Sequence, residues 1–145
     1  MSLEDAFKNI DSEGTFGCWT FSRFVVGRLI GSSFQTISSD LRKKWEGIFE
    51  DPISDNRPPL GMAQFLVMRA YTEVVQPRPP GNIHAGQRME IYSTPALGQC
   101  MLAEIRCADK YVKRDRKLVI LEVTFSDQES CILLFKSKVT VFWAQ

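Results

Sequence analysis

One histidine, four cysteines and one basic run are the groups in this 145-residue chain whose types suggest chemistry. His84 is the only side chain whose ordinary pKa lies near neutrality, which makes it a candidate general base. The other reading is a half-buried histidine that holds its loop by backbone hydrogen bonds. Asp51, Asp55 and Asn56 stand close together in the polar stretch DPISDNR. Asp51 precedes a proline, as turn aspartates commonly do, and Asp55 with Asn56 reads as a turn or cap pair. Cys18, Cys100, Cys107 and Cys131 form no CxxC, and with a single histidine no metal-ligand set is expected. They read as reduced thiols of a cytoplasmic protein. The run KYVKRDRK, Lys110 to Lys117, is the most basic stretch. Its Lys113, Arg114, Arg116 and Lys117 fall at an expected hairpin tip, either as a solvated turn or as a contact for phosphates or an acidic protein face. Arg69 falls inside an apolar helical run and needs an anionic or hydrogen-bonding partner, within the chain, across an interface or on a ligand.

The totals narrow the classes. Lys and Arg number 18 and Asp and Glu 17, a net charge of +1. Nucleic acid as the main partner would require concentrated positive charge, which is lacking. The length suits one domain, 1–145, with a core that needs no disulfide staples. No apolar signal core follows the N-terminus, so export is not expected. No run is long and uninterrupted enough to span a bilayer.

The element that must position these groups is 57–75, RPPLGMAQFLVMRAYTEVV. Pro58 and Pro59 suit a helix start, and the residues that follow are apolar on almost every side, which predicts a buried core helix. Upstream, 16–30 is rich in aromatic and β-branched residues and reads as strand, with Gly27 marking a bulge or bend. Ser38 or Ser39 caps an amphipathic helix over 36–50, with Leu41, Trp45, Ile48 and Phe49 on one stripe. After the stiff connector QPRPPGN, the apolar period changes to two. A short strand is expected over 87–92. Three long strands follow. The first puts Met101, Ala103, Ile105 and Cys107 on one face. The second does the same with Val119, Leu121, Val123 and Phe125, and the third with Cys131, Leu133, Phe135, Val139, Val141 and Trp143. Cys100 and Cys107, an odd number apart, should point to opposite faces. Such strands make an antiparallel meander whose one apolar face needs a cover. The fold class is therefore α+β: a curled antiparallel sheet around a long central helix, the hot-dog architecture.

The segment NIHAGQRMEIYSTPALGQCMLAEIRCADKYVKR resembles the MaoC-like dehydratases of that architecture. The matching positions are His84, Gly86, Gln87, Tyr92, Pro95 and Gly98, with Gln99 where the family usually has Asp. The upstream stretch from Val26 to Asp51 is similar to the family's first strand and helix. The resemblance implies hydration or dehydration of acyl thioesters of CoA or acyl carrier protein, with no further cofactor. In the family an Asp and a His five residues apart precede the central helix. The His acts as acid or base, the Asp orients water, and a backbone N–H at the helix start binds the thioester oxygen. Carried over, Asp51 takes the Asp position, and Gly61 or Met62 supplies the N–H. Lys113, Arg114, Arg116 and Lys117 would face the phosphates of CoA or an acidic carrier protein.

Asn56 stands where the His belongs, and asparagine exchanges no proton near neutral pH. His84 is not the catalytic position in the half-domains this chain resembles. Three readings follow. The chain is a thioester-binding subunit that takes its His from a catalytic hot-dog partner, as a homodimer or heterodimer. Alternatively it is a stand-alone hydratase or thioesterase using Asp51, with or without His84. In the third reading it is a non-catalytic acyl-CoA-binding or assembly module.

Overall fold

The computed structural model describes residues 17–49 and 58–145. Strands β1 (Leu29–Thr36), β2 (Ile83–Ile91), β3 (Cys100–Lys113), β4 (Arg116–Asp127) and β5 (Leu133–Trp143) form one antiparallel sheet. Their order is β1-β3-β4-β5-β2, so β3, β4 and β5 are the expected meander and β1 and β2 are the edges. Helices α1 (Ser39–Ile48) and α2 (Leu60–Val74) lie between β1 and β2 in the chain.

The period of two in β3 and β4 puts alternate residues on the α2 side. Met101, Ala103, Ile105, Cys107, Val119, Leu121, Val123 and Phe125 are all fully buried there. On β5, Phe135 stacks on its cross-strand partner Phe125 with ring centroids 4.5 Å apart. Cys107 is buried and Cys100 exposed, as their spacing requires. Burial pushes the Cys107 thiol pKa up, which suits a packing role rather than a reactive one.

Expectations about four elements are corrected. The segment before Leu29 is not strand but a 3-10 turn, Phe21–Arg23, within irregular chain. The backbone N–H groups of Trp19 and Phe21 donate to Pro77 and Gln145, and only Gly27 and Arg28, next to β1, bond to β3, at Cys107. Phe24 turns inward to pack against Trp19 and Trp143, so aromatic packing outweighs strand propensity here. Gly27 does mark a bend, with φ +84°. Cys131 falls before β5, exposed in the turn with φ +61°, and Leu133 is exposed because a register shift at Phe125/Ser126 turns Leu134 inward beside Phe135. Strand β2 begins at Ile83, four residues earlier than its pattern suggests, with a shift between His84 and Gly86.

Ser38 caps α1 by accepting the Leu41 N–H at 3.1 Å. Helix α2 buries Met62, Ala63, Leu66, Val67, Ala70 and Tyr71, a single stripe at i, i+1, i+4, i+5, i+8 and i+9. Burial on all sides is not found, since Leu60 is 61% exposed and Phe65 40%. One sheet face can cover only one stripe of a helix.

Two features hold α2 on the sheet. At Gly31 a Cβ would come within 2.7 Å of Val74 Cγ1, so only glycine admits this approach. Farther along, Arg69 finds the partner it requires. Its Nε donates to Gln35 Oε1 at 2.5 Å and its Nη2 to the Thr36 carbonyl at 3.1 Å. Gln35 is buried, and its Nε2 donates to Glu73 Oε2 and Ser33 Oγ. At the other end, Arg78 Nη1 donates to the carbonyls of Thr72 and Val75, which the last turn leaves open.

Candidate functional site

The first turn of α2 is the place where backbone donors are left over. Pro59 is its N-cap and offers no side-chain bond. The Met62 N–H is already used, donating to the Pro59 carbonyl at 2.9 Å. Gly61 is therefore the better donor of the two candidates. Its own N–H meets no acceptor among the described residues. A Cβ at 61 would lie 3.4 Å from the Trp45 ring, so the close neighbour that Gly61 admits is α1 rather than the sheet. Trp45 and Phe49 pack as a tilted pair, centroids 4.5 Å apart, and with exposed Leu60 they give this helix end an apolar flank. Gly61, Leu60 and Phe49 are all exposed in the single chain, so the donor stands open to a ligand oxygen on which charge develops.

Asp51 and Asn56 lie outside the described residues, in the stretch 50–57 that leads into this helix end. His84 is on edge strand β2, exposed, opposite Val141. It is far from Gly61. Along β1 from Gly31 to Thr36, α2 runs from Val74 back to Arg69. The N-terminus of α2 therefore lies beyond Thr36 and its partner Cys100, about 12 Å past Arg69. Val141 pairs with Val119, and Val119 with Lys110, ten residues up β3 from Cys100. His84 thus belongs to the opposite end of the sheet.

The basic tip is farther still. Strand β3 has 14 residues, and Lys113 closes its far end about 40 Å from Cys100. Gly61 and the four cations do not form one site within a chain. The cations also divide by face. Lys113 pairs with Arg116, whereas Lys117 sits opposite buried Trp143 on the inner side.

Gln99, standing where the resembling family has Asp, ties the turn to the next hairpin. Its Oε1 accepts the Ala96 N–H, and its Nε2 donates to Asp127 Oδ1 at 2.8 Å. Asp127 Oδ2 also accepts the Ser130 backbone N–H and hydroxyl. These donors, Ser130 first and Gln99 next, hold the Asp127 pKa down to about 2. A depressed carboxylate pKa stabilises above the unfolded value and is lost as pH falls through the folded one. Wild type should therefore lose its advantage over Asp127→Asn as pH falls from about 4 to about 2. Thermal melts of both proteins across that range check this.

Among the described residues no group of His, Cys, Asp and Glu could hold a metal ion, and no helix is long and apolar enough to cross a membrane. The sequence missed Gln35 and the Gln99–Asp127 bond, since these side chains meet partners 28 or more residues away.

No protein-family profile matches the sequence, and no curated protein matches it. Solved structures do. R-hydratase PhaJ1 from Pseudomonas aeruginosa has a TM-score of 0.70 at 13% identity, over 87% of this chain and 86% of that one. The MaoC-like dehydratase from Rhodospirillum rubrum scores 0.68 at 19% identity, over 88% of this chain and 99% of that one. The ChsH1-ChsH2 complex from Mycobacterium tuberculosis scores 0.63 at 10% identity, over 83% of this chain and 98% of that one. At such identities the likeness is one of fold: this chain has the hot-dog fold that MaoC-like dehydratases and R-hydratases share.

Proposed function

We propose that this protein is an acyl-thioester-binding subunit of a MaoC-like hydratase or dehydratase, and that a partner hot-dog subunit supplies the catalytic histidine. One observation carries the reading. The loop into α2 offers Asn56 where acid–base work needs histidine, and the chain's only histidine belongs to the other end of the sheet. The Gly61 N–H and its apolar flank remain suited to a thioester oxygen. The partner would be another hot-dog chain, either a second copy or a homologue. Among the described residues edge strand β2 is bonded to β5 alone, and its Ile83 is 60% exposed, which leaves a sheet edge for strand addition. The ChsH1-ChsH2 neighbour is itself a complex of two chains. Acyl-CoA or acyl carrier protein is the thioester source, and the setting is the cytoplasm, where the four free cysteines stay reduced.

The test is hydration of crotonyl-CoA by the chain alone and by the chain with the hot-dog subunit that co-purifies with it from the source cell. A partner with an intact Asp–His pair should raise the rate at least about 100-fold over either chain alone. Full hydration by the purified chain alone would overturn the reading. So would a native mass spectrum with no hot-dog partner and no activity in any mixture.

A further inference from the structure

The outer face of the sheet, away from α2, carries its own cleft at the β3–β4 hairpin. It measures about 480 Å³ and is lined by Tyr111, Lys113, Arg114, Arg116, Leu118 and Phe142. Register places the apolar members in one row: Tyr111 opposite Leu118, and Leu118 opposite Phe142. The row makes a floor of two rings and a leucine. Leu118 is only 7% exposed although no helix among the described residues lies on this face. The cations form the rim. Lys113 and Arg116 are cross-strand partners, and the Arg116 guanidinium lies 5.5 Å from the Phe142 ring centroid. None of the six lining residues is acidic.

The turn itself is unusual. Its two central residues, Arg114 and Asp115, have φ of +51° and +60°, where hairpins ordinarily use Asn and Gly. Aspartate tolerates that conformation, whereas arginine gains nothing from it locally. A two-residue hairpin requires φ > 0 at both central positions, so the conformation belongs to the turn. The residue that fills the first of them is a third cation on the rim of the cleft.

The Phe142 ring already carries the Arg116 guanidinium, but phosphate alone would leave the Tyr111 ring without a use, and an apolar ligand would leave three cations without one. We infer that this cleft binds a nucleoside phosphate, with the base on the Tyr111–Leu118–Phe142 floor and the phosphates on Lys113, Arg114 and Arg116. Stacking and charge-assisted bonds from arginine forks are the two interactions such a ligand offers. The volume falls within the range of small-molecule clefts. The site is separate from the Gly61 end and does not depend on the thioester reading.

Isothermal titration of the purified full chain with ADP, and with inorganic phosphate as the second probe, tests the inference. ADP should bind saturably, and inorganic phosphate at least about tenfold more weakly. Arg116→Gln and Arg114→Gln should each weaken ADP about tenfold. Tyr111→Ala should weaken ADP and leave phosphate unchanged. Lys117→Gln removes the same charge from the other face and should stay within about twofold of wild type. Melting curves show that each variant is folded. Absence of saturable ADP binding, equal affinity for ADP and phosphate, or an equal loss in Lys117→Gln would overturn it. Crotonyl-CoA hydration by the reconstituted pair is read separately, so failure here leaves that result standing.

Discussion

Phe125→Ala is expected to cost about 3–5 kcal/mol of folding stability, the range for truncating a fully buried aromatic residue. Phe125 has no exposure and lies at the centre of the meander, with its ring stacked on Phe135 at an interplanar angle of 15°. Its removal leaves a cavity between β4, β5 and α2 that the stiff sheet cannot close. Urea unfolding measures the loss, and a cycle with Phe135→Ala should return a coupling of about 0.5–1.5 kcal/mol. Phe34→Ala is the control. That ring is 68% exposed on β1, and its loss should stay within about 0.5 kcal/mol. Equal losses at 34 and 125 would refute this account of the core.

Arg69→Met should cost about 2–3 kcal/mol, because it strands a neighbour as well as removing bonds. Gln35 has 2% exposure, and Arg69 Nε is the donor to its Oε1. Without the guanidinium that oxygen is buried with no partner, and the Thr36 carbonyl loses a donor too. Arg69 itself is half-buried, so Gln35→Leu leaves it able to reach water and should cost less. The double variant should be more stable than the sum of the two losses predicts, since both ends of the bond are then apolar. Denaturant unfolding of the four proteins decides it; strict additivity would mean that the network holds nothing together.

The strands were legible where one residue in two faces the core without interruption. Met101 to Cys107 and Val119 to Phe125 are such runs, and their inward residues are fully buried. Reading failed where the ladder slips. The shift at Phe125/Ser126 is a property of two strands together, so β5 alone suggested the wrong face for Leu133. It failed again at Phe24, whose β propensity yields to the Trp19 and Trp143 rings it meets from distant parts of the chain. The all-round apolar pattern of α2 predicts burial on every side, yet Leu60 and Phe65 face outward. At the candidate site, the helix start was legible from Pro58 and Pro59. The engagement of the Met62 N–H was not, because it is set by how tightly the first turn closes. The wide separation of His84 and the basic tip from Gly61 follows from strand order, which no local motif encodes.

The missing methyl group at position 31 has a reach well beyond its own strand. Val74 rests in the space it leaves, and Val74 is the last residue of a stiff rod whose second residue is Gly61. Arg69, clamped to Gln35 and Thr36 in between, is the pivot. Any larger side chain at 31 would prise up one end of the rod and swing the other, so the aim of the amide at Gly61 is set about 20 Å away.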